Sequence, residues 1–408
     1  MKKILTVFNI ILFIFNLSVF AYANETDISN GEESVEHFES KTFTVSDEDE
    51  DVSLNTQIIE NTTEHTIGYD YYDIYSDEIL EDGVTAGNNA QVDEYVDKST
   101  HYETWKKKGN LQNIINDNIE YTVEGFAVGT NYCYSAEIIS ETSHRLFRKN
   151  LNDDTDAEIM YPSGSIDSLG HSNDMCLVTY KDNNNVTHYY IYVIVHFNTR
   201  ANSYIVKLEY SGRVYEQKAK YNLNTKYSAI SKVKYYTNSS GEPMVQFLLR
   251  GVDGYYTASV RRGQSGTYSL ATTKRFTVSK PSAFVNYANQ GIHYESNKIY
   301  IPIYGYNAGA GNSNPNQPKK NVILVYNVSN AVLSSTTIDN LIWSKYIVVQ
   351  ANDPTMTLFE IESIGFPVNN PNLNNNLLWF NTNNRGYVNG IDKKINGGIY
   401  YDTRTVIK

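Results

Sequence analysis

Gly170-His171-Ser172-Asn173-Asp174-Met175-Cys176-Leu177-Val178-Thr179-Tyr180 is followed, after an Asn-rich turn, by Tyr189-Tyr190-Ile191-Tyr192-Val193-Ile194-Val195. Reading these residues decides the fold. The first segment opens on polar side chains and continues as an alternating strand. The second is a nearly unbroken apolar strand, the pattern of a strand covered on both faces. A polar head, an alternating strand, a polar turn and a second apolar strand form one unit.

The same grammar occurs five times. The other four places are Glu124–Val128 with Tyr132–Tyr134, Ala229–Val233 with Met244–Leu248, Gln290–Tyr294 with Lys298–Pro302, and Glu360–Ile364 with Leu377–Phe380. Starts at Glu124, Asn173, Ala229, Gln290 and Glu360 are separated by 49, 56, 61 and 70 residues. Further strand candidates lie between the pairs, such as Tyr204–Leu208 and Val322–Tyr326. Four-stranded units of ~40–50 residues, lengthened by long turns, are the blades of a β-propeller. The expected fold is all-β, a five-bladed β-propeller, because a single blade cannot cover both of its faces and a closed ring can. A pair of β-sandwiches and a six-bladed ring remain as alternatives at this point.

The composition agrees with an all-β chain. Tyr is unusually frequent, at 35 of 408 residues, and Tyr favours strands. No stretch has sustained helical periodicity. Trp105 to Ile115 reads as a transition that could hold a helical turn. The formal net charge of −12 gives no support for nucleic-acid binding, which needs a basic face.

Residues 1–23 have the form of a signal peptide. Lys2 and Lys3 precede an apolar run from Ile4 to Phe20, and Ala21-Tyr22-Ala23 is a small-x-small cleavage site. No Cys follows for lipidation, and the C-terminal end carries neither a hydrophobic tail nor a sorting motif. The expectation is a secreted, extracellular protein with no membrane span after signal cleavage. Residues 24–104 form an acidic, largely disordered spacer; positions 24–100 alone carry a net −20, leaving +6 for residues 101–408. The propeller is expected over 105–408. Cys133 and Cys176 both fall on strand candidates, so a disulfide and two buried free thiols are competing expectations.

In a propeller the innermost strands line the axis and their heads meet at one mouth. The heads here are Glu124, His171, Asn173, Asp174, Ser231, Gln290, Glu360 and Glu362. Three readings compete for them. In the first they are structural and satisfy one another and the backbone. In the second, Asp174, Glu362 and amide oxygens coordinate Ca²⁺. In the third, Asp174 and Glu362 act as a carboxylate pair on a glycosidic bond. His171 as a lone base is weak, and His-Ser-Asn-Asp matches no metal-ligand spacing. Gly263-Gln264-Ser265-Gly266 is not a nucleophile elbow. The glycines of Gly305–Asn312 lack the Lys-Ser/Thr of a phosphate loop.

Several segments resemble helveticin J and its relatives, exported or released proteins of Gram-positive bacteria described as large bacteriocins. They are Gly129–Tyr134, the His171 head, Asn289–Ile292 with Lys298–Ile301, and Glu360–Ile364 followed by Ile399-Tyr400. The chain is also similar to secreted clostridial propellers with a Gly-His-Ala/Ser-Asn-Asp-Met head. The resemblance spans about 120 to 402. It implies a bacteriocin-like or surface-binding factor whose partner is a bacterial cell-surface component or glycan. It supplies no catalytic residues and leans against an enzyme. The signal peptide and acidic arm depart from helveticin J. A secreted glycan-active hydrolase and a non-enzymatic adhesive propeller are the alternatives.

Overall fold

A computed structural model describes Thr66–Ile67 and residues 105–111, 122–140, 143–197, 200–305, 320–329, 331–332, 336–350, 356–370, 373, 375, 377–388 and 390–402. The chain divides into two compact units, Met1–Asn61 and Thr62–Lys408. All described residues belong to the second. The expected signal peptide and nearly all of the acidic arm lie outside the described residues. Within the arm, Thr66–Ile67 form a short strand, β1, that pairs with β2 (Trp105–Asn110). The stretch read as a transition with a helical turn is therefore a strand over its first six residues.

Four strands follow as a first blade: β3 (Thr122–Val128), β4 (Tyr132–Ser140), β5 (Ser143–Asn150) and β6 (Glu158–Pro162). The second blade is β7 (His171–Lys181), β8 (Thr187–His196), β9 (Tyr204–Ser211) and β10 (Val214–Asn222). The third is β11 (Tyr227–Thr237), β12 (Pro243–Gly251), β13 (Gly254–Arg261) and, beyond the short β14 (Gly266–Ser269), β15 (Thr273–Val278). In the fourth blade the innermost strand is split into β16 (Ala288–Asn289) and β17 (His293–Glu295), followed by β18 (Lys298–Gly305) and β19 (Lys320–Asn327). Strand β20 (Ile338–Leu341) adds to the edge of β15, and β21 (Lys345–Gln350) completes the fourth blade. The fifth blade is β22 (Met356–Gly365), β23 (Trp379–Val388) and β24 (Ile391–Asp402), with β2 as its outermost full strand. The chain's own beginning thus closes the ring on its end.

The cores report closure independently. The described residues form five buried apolar clusters, and each draws on two neighbouring blades. Ala127, Ala136 and Leu146 meet Met175, Ile191 and Val193 between blades one and two. Tyr192 and Ile194 meet Ile230, Val245 and Phe247 between two and three. Leu248 and Phe276 meet Ile299, Val322 and Leu324 between three and four. Ile323 and Val325 meet Phe359, Ile361 and Phe380 between four and five. Trp379 and Ile399 meet Val123, Phe126 and Phe147 between five and one. A sandwich pair has no such cycle, and a sixth blade would need a sixth interface. This architecture is a five-bladed β-propeller.

The apolar run of β8 now has a cause. Tyr190, Tyr192 and Ile194 face blade three, while Ile191, Val193 and Val195 face blade one. Successive side chains point to opposite faces and both faces are covered, so no polar alternation survives. Each such residue contributes ~1.5–3 kcal/mol on burial. Cys133 and Cys176 are free, buried thiols in different interfaces, Cys133 between blades five and one and Cys176 between blades two and three. Burial pushes both thiols well up, Cys133 to about 12. Among the described residues no helix is long and apolar enough to cross a membrane.

Candidate functional site at one mouth of the ring

Every innermost strand carries one residue more than its partner, at the same level. Two residues of β3 lie between the pairs Val123↔Glu137 and Phe126↔Ser135, opposite Ala136 alone. In β7 the extra residue lies between His171 and Asp174, in β11 between Tyr227 and Ala229, and in β22 between Ile361 and Ser363. In blade four, Gln290, Gly291 and Ile292 bridge the gap between Asn289↔Ile303 and His293↔Tyr300. A bulge bends its strand and re-aims side chains. Here five bulges form a ring around the axis.

Aligned on the apolar residue that each sends into the core shared with the preceding blade, the five strands share a triplet at the bulge: polar, then usually small, then apolar. The triplets are Glu124-Gly125-Phe126, Asn173-Asp174-Met175, Ser228-Ala229-Ile230, Gln290-Gly291-Ile292 and Glu362-Ser363-Ile364. The middle position is small in four blades and Asp in one. Asp174 fills the space the small residues leave. Its Oδ1 accepts from Ser363 Oγ at 2.6 Å and from the Met175 N–H at 3.0 Å. Its Oδ2 accepts from the Ile292 N–H at 2.8 Å and the Ile230 N–H at 3.2 Å. One carboxylate therefore ties together blades two, three, four and five. Blade one is held by shape: a Cβ on Gly125 would stand 2.5 Å from the Ser172 carbonyl oxygen and 3.0 Å from the Asp174 carbonyl carbon. Gly125→Ala is accordingly expected to destabilise the fold by about 1–3 kcal/mol through overpacking, read from the urea midpoint.

Asp174 has 0% exposure. Burial pushes its carboxyl up to about 7, against the lowering effect of Ser363, the Ile292 and Ile230 N–H groups and the nearby Arg250 charge. This placement also bears on calcium. The four donors around Asp174 occupy the lone pairs a cation would need. Among the described residues no three His, Cys, Asp or Glu side chains form a metal-binding group.

Above this floor lie the first members of the triplets and the residues beside them. Glu124 is 7% and Glu362 6% exposed. Glu124 Oε1 is 3.5 Å from His171 Nδ1, linking blades one and two. The His171 ring lies 5.4 Å from that of His196. Burial, with the charges of His171, Lys226 and Arg250, lowers His196 to about 4, so it is neutral at pH 7. Gln290 Nε2 donates to Glu360 Oε1 at 2.5 Å, linking blades four and five. Arg250, on β12, is buried; its Nε and Nη2 donate to Ser228 Oγ at 3.0 and 2.9 Å, and its Nη1 donates to the Gln290 carbonyl. Burial lowers the Arg250 pKa, while Tyr255 and Asp174 favour its charge.

The structure thus joins Glu124 to His171 and Gln290 to Glu360 through their side chains, places Asn173 and Glu362 at the first triplet position of their strands, and buries Asp174 at the second. Ser231 lies elsewhere. It is buried on the far side of the floor, where its Oγ accepts from the Tyr294 N–H at 2.8 Å; Ser228 holds the equivalent position in blade three. Sequence reasoning also missed Arg250, His196 and Asn381. Asn381 is fully buried on β23, donates to the Glu124 carbonyl at 2.7 Å and Ser135 Oγ at 2.9 Å, and accepts from the Ser363 N–H at 3.0 Å. It fixes the bulges that present Glu124 and Glu362. The polar-small-apolar triplet was the available signal for Ser228. The second-strand residues Arg250, His196 and Asn381 had none, because their importance comes only from pairing.

No family model matches the chain, and no curated protein matches it. Among solved structures it is similar to a GH43 endo-arabinanase from Bacillus licheniformis, with 12% identity, a TM-score of 0.39 and coverage of 72% of this chain and 98% of that one. It is also similar to an α-L-arabinanase from Penicillium chrysogenum complexed with arabinobiose, with 9% identity, a TM-score of 0.35 and coverage of 72% and 96%. A third is an α-L-arabinofuranosidase from Fusarium graminearum, with 7% identity, a TM-score of 0.32 and coverage of 69% and 97%.

Proposed function

We propose that the polar mouth is a glycan-hydrolysing site in which Glu124 and Glu362 are the working carboxylates. One observation carries this reading: equivalent positions on adjacent blades one and five both bear Glu, both largely buried, each next in its strand to the residue that packs at the Asp174 floor. Glycoside hydrolysis needs one carboxyl group to protonate the leaving oxygen and another to activate water or attack the anomeric carbon. Asp174, first considered for that pair, is committed to four hydrogen bonds within the floor and is replaced by Glu124. His171 stands against Glu124 and is partly open to the mouth, where it can exchange protons with it. Gln290 and Glu360, joined to each other across blades four and five, offer hydrogen bonds to sugar hydroxyls, and Arg250 holds Gln290 and Ser228 in place. The bacteriocin-like reading rests on the sequence resemblance, and no feature of the mouth favours it.

The test is reducing-end release from soluble polysaccharides, with arabinan and xylan in the panel. Glu124→Ala and Glu362→Ala are each expected to lower kcat at least ~100-fold, the scale of losing one acid or base. Azide should restore turnover in one of the two, detected as glycosyl azide rather than as new reducing ends, marking the carboxylate that attacks or activates water. Absence of reducing ends from every polymer, or variants as active as the parent, would overturn the proposal.

A further inference from the structure

On the far side of the Asp174 floor the inner strands of blades two and three end in a surface of interleaved cations and Tyr rings. Tyr180 lies six residues beyond Asp174 on β7, about 20 Å along the strand at ~3.3 Å per residue. The Arg262 guanidinium is gripped between two rings, 5.5 Å from the centroid of Tyr180 and 4.7 Å from that of Tyr235. Lys232 Nζ is 5.0 Å from the same Tyr235 centroid; Lys234 and Tyr236 alternate to the opposite face of β11 and are not part of this surface. Two cations thus share one Tyr. Among the described residues, neither Arg262 nor Lys232 pairs with a carboxylate. Arg261 beside them is 55% exposed and meets Glu242 at 2.8 Å.

The surface is held in place. Tyr235 Oη accepts from the Thr179 N–H at 3.0 Å, filling a strand-edge position of β7. Arg262 Nη1 donates to the Thr179 carbonyl at 3.3 Å. Backbone carbonyls of the same turn, Arg262 and Gln264, accept from the buried Lys207 Nζ, anchoring it to blade two. Arg262 Nε is buried and has no hydrogen-bond acceptor. A buried donor on a cation without an acceptor is costly and is normally satisfied. Tyr235 is nevertheless 38% exposed. Fixed rings, unpaired cations and an unused guanidinium donor form a preorganised surface for an anion borne on a flat, hydroxylated chain.

We propose that this face, formed by Tyr180, Lys232, Tyr235 and Arg262, binds an acidic glycan, with sugar rings against the Tyr edges and carboxylate or phosphate groups on the cations. It acts independently of hydrolysis at the opposite mouth. A glycan fits better than a nucleic acid. The patch offers a few cations and not the broad basic footprint a phosphodiester duplex requires.

The test uses the full chain and affinity electrophoresis or calorimetry with two probes, polygalacturonate for carboxylates and poly(glycerol phosphate) for phosphates. Dextran serves as the neutral control and a single-stranded oligonucleotide as the competing polyanion. Binding of at least one acidic glycan is expected, with Kd rising as salt is added. Lys232→Gln, which removes the charge and keeps most of the half-buried stem, should weaken it at least tenfold while the thermal midpoint stays put. Arg262→Gln should weaken it as well. No binding of either glycan at low salt, unchanged binding by Lys232→Gln, or tighter binding of the oligonucleotide would overturn the proposal.

Discussion

Asp174→Ala is expected to cost more stability than any other single substitution, about 3–5 kcal/mol, and to leave little folded protein where total stability is about 5–15 kcal/mol. The side chain touches the inner strands of four blades at once. Its removal leaves the Ile230 and Ile292 N–H groups buried without acceptors, and Ser363 Oγ keeps only a 3.4 Å contact with the Phe126 carbonyl. Each orphaned group costs about 1–3 kcal/mol, and an emptied ring centre adds a cavity term. Urea denaturation followed by Tyr and Trp fluorescence measures it. A midpoint within error of the parent would show that the floor is held by the blades alone.

Asp174→Asn separates charge from shape and carries a pH signature. The carboxyl is raised by burial to about 7, above an unfolded value of 3.8. Between those values the native state holds a proton that the unfolded state has released. This group's contribution therefore falls as pH rises from about 4 to 7, by roughly 4 kcal/mol at about 1.4 kcal/mol per unit. His196 acts in the opposite sense. Lowered to about 4 by burial, it stays neutral while the unfolded chain takes up a proton below 6.5, so its contribution grows with pH over 4–6.5. In the parent the two slopes oppose each other. In Asp174→Asn the falling slope is gone, and stability should rise from pH 4.5 to 7.5 more than in the parent. Identical pH dependence in both would mean Asp174 is ionised throughout.

The ring was legible because its cause is repetitive. A blade covered on both faces writes itself as a run such as Tyr189–Val195, and five such runs at similar spacing imply five blades. The heads Glu124, Asn173, Gln290 and Glu362 were visible because a polar residue before an apolar strand is a local pattern. Two things were not. One is the bulge, a register difference between two strands that neither strand encodes alone; it moved the blade-three position from Ser231 to Ser228. The other is depth. Asp174 and Glu362 look alike as carboxylates at strand heads, yet one residue of offset puts Asp174 among backbone donors and Glu362 at the rim. The same applies to β2. Trp105-Lys106-Lys107-Lys108-Gly109-Asn110 has no apolar alternation, since its strand character comes from the edge of β24, which is nearly 300 residues away.

That edge carries the second large effect. A chain beginning at residue 112 is expected to lose the cooperative unfolding transition that a chain beginning at residue 101 retains. β2 is clasped from both sides. On blade five it pairs with Asp402 through Gly398, and the Leu111 N–H donates to the Gly397 carbonyl at 3.1 Å. On blade one the Asn110 carbonyl accepts from the Ala157 N–H at 2.9 Å, the Asn110 N–H donates to Asp156 at 2.9 Å, and Lys108 meets Asp154 at 2.6 Å. Leu111 is fully buried with Phe147 and Trp379 in the interface that shuts the ring. Burial of one Leu at ~1.5–3 kcal/mol and several strand hydrogen bonds at ~0.5–1.5 kcal/mol each make the loss about 5 kcal/mol or more. It also bares β24 as an open edge, which favours aggregation. A synthetic peptide of residues 101–116, added to the shortened chain, should restore the thermal midpoint, and a scrambled peptide should not. Equal midpoints for the two chains without peptide would show that the first and fifth blades hold each other through side chains and that β2 only covers their seam.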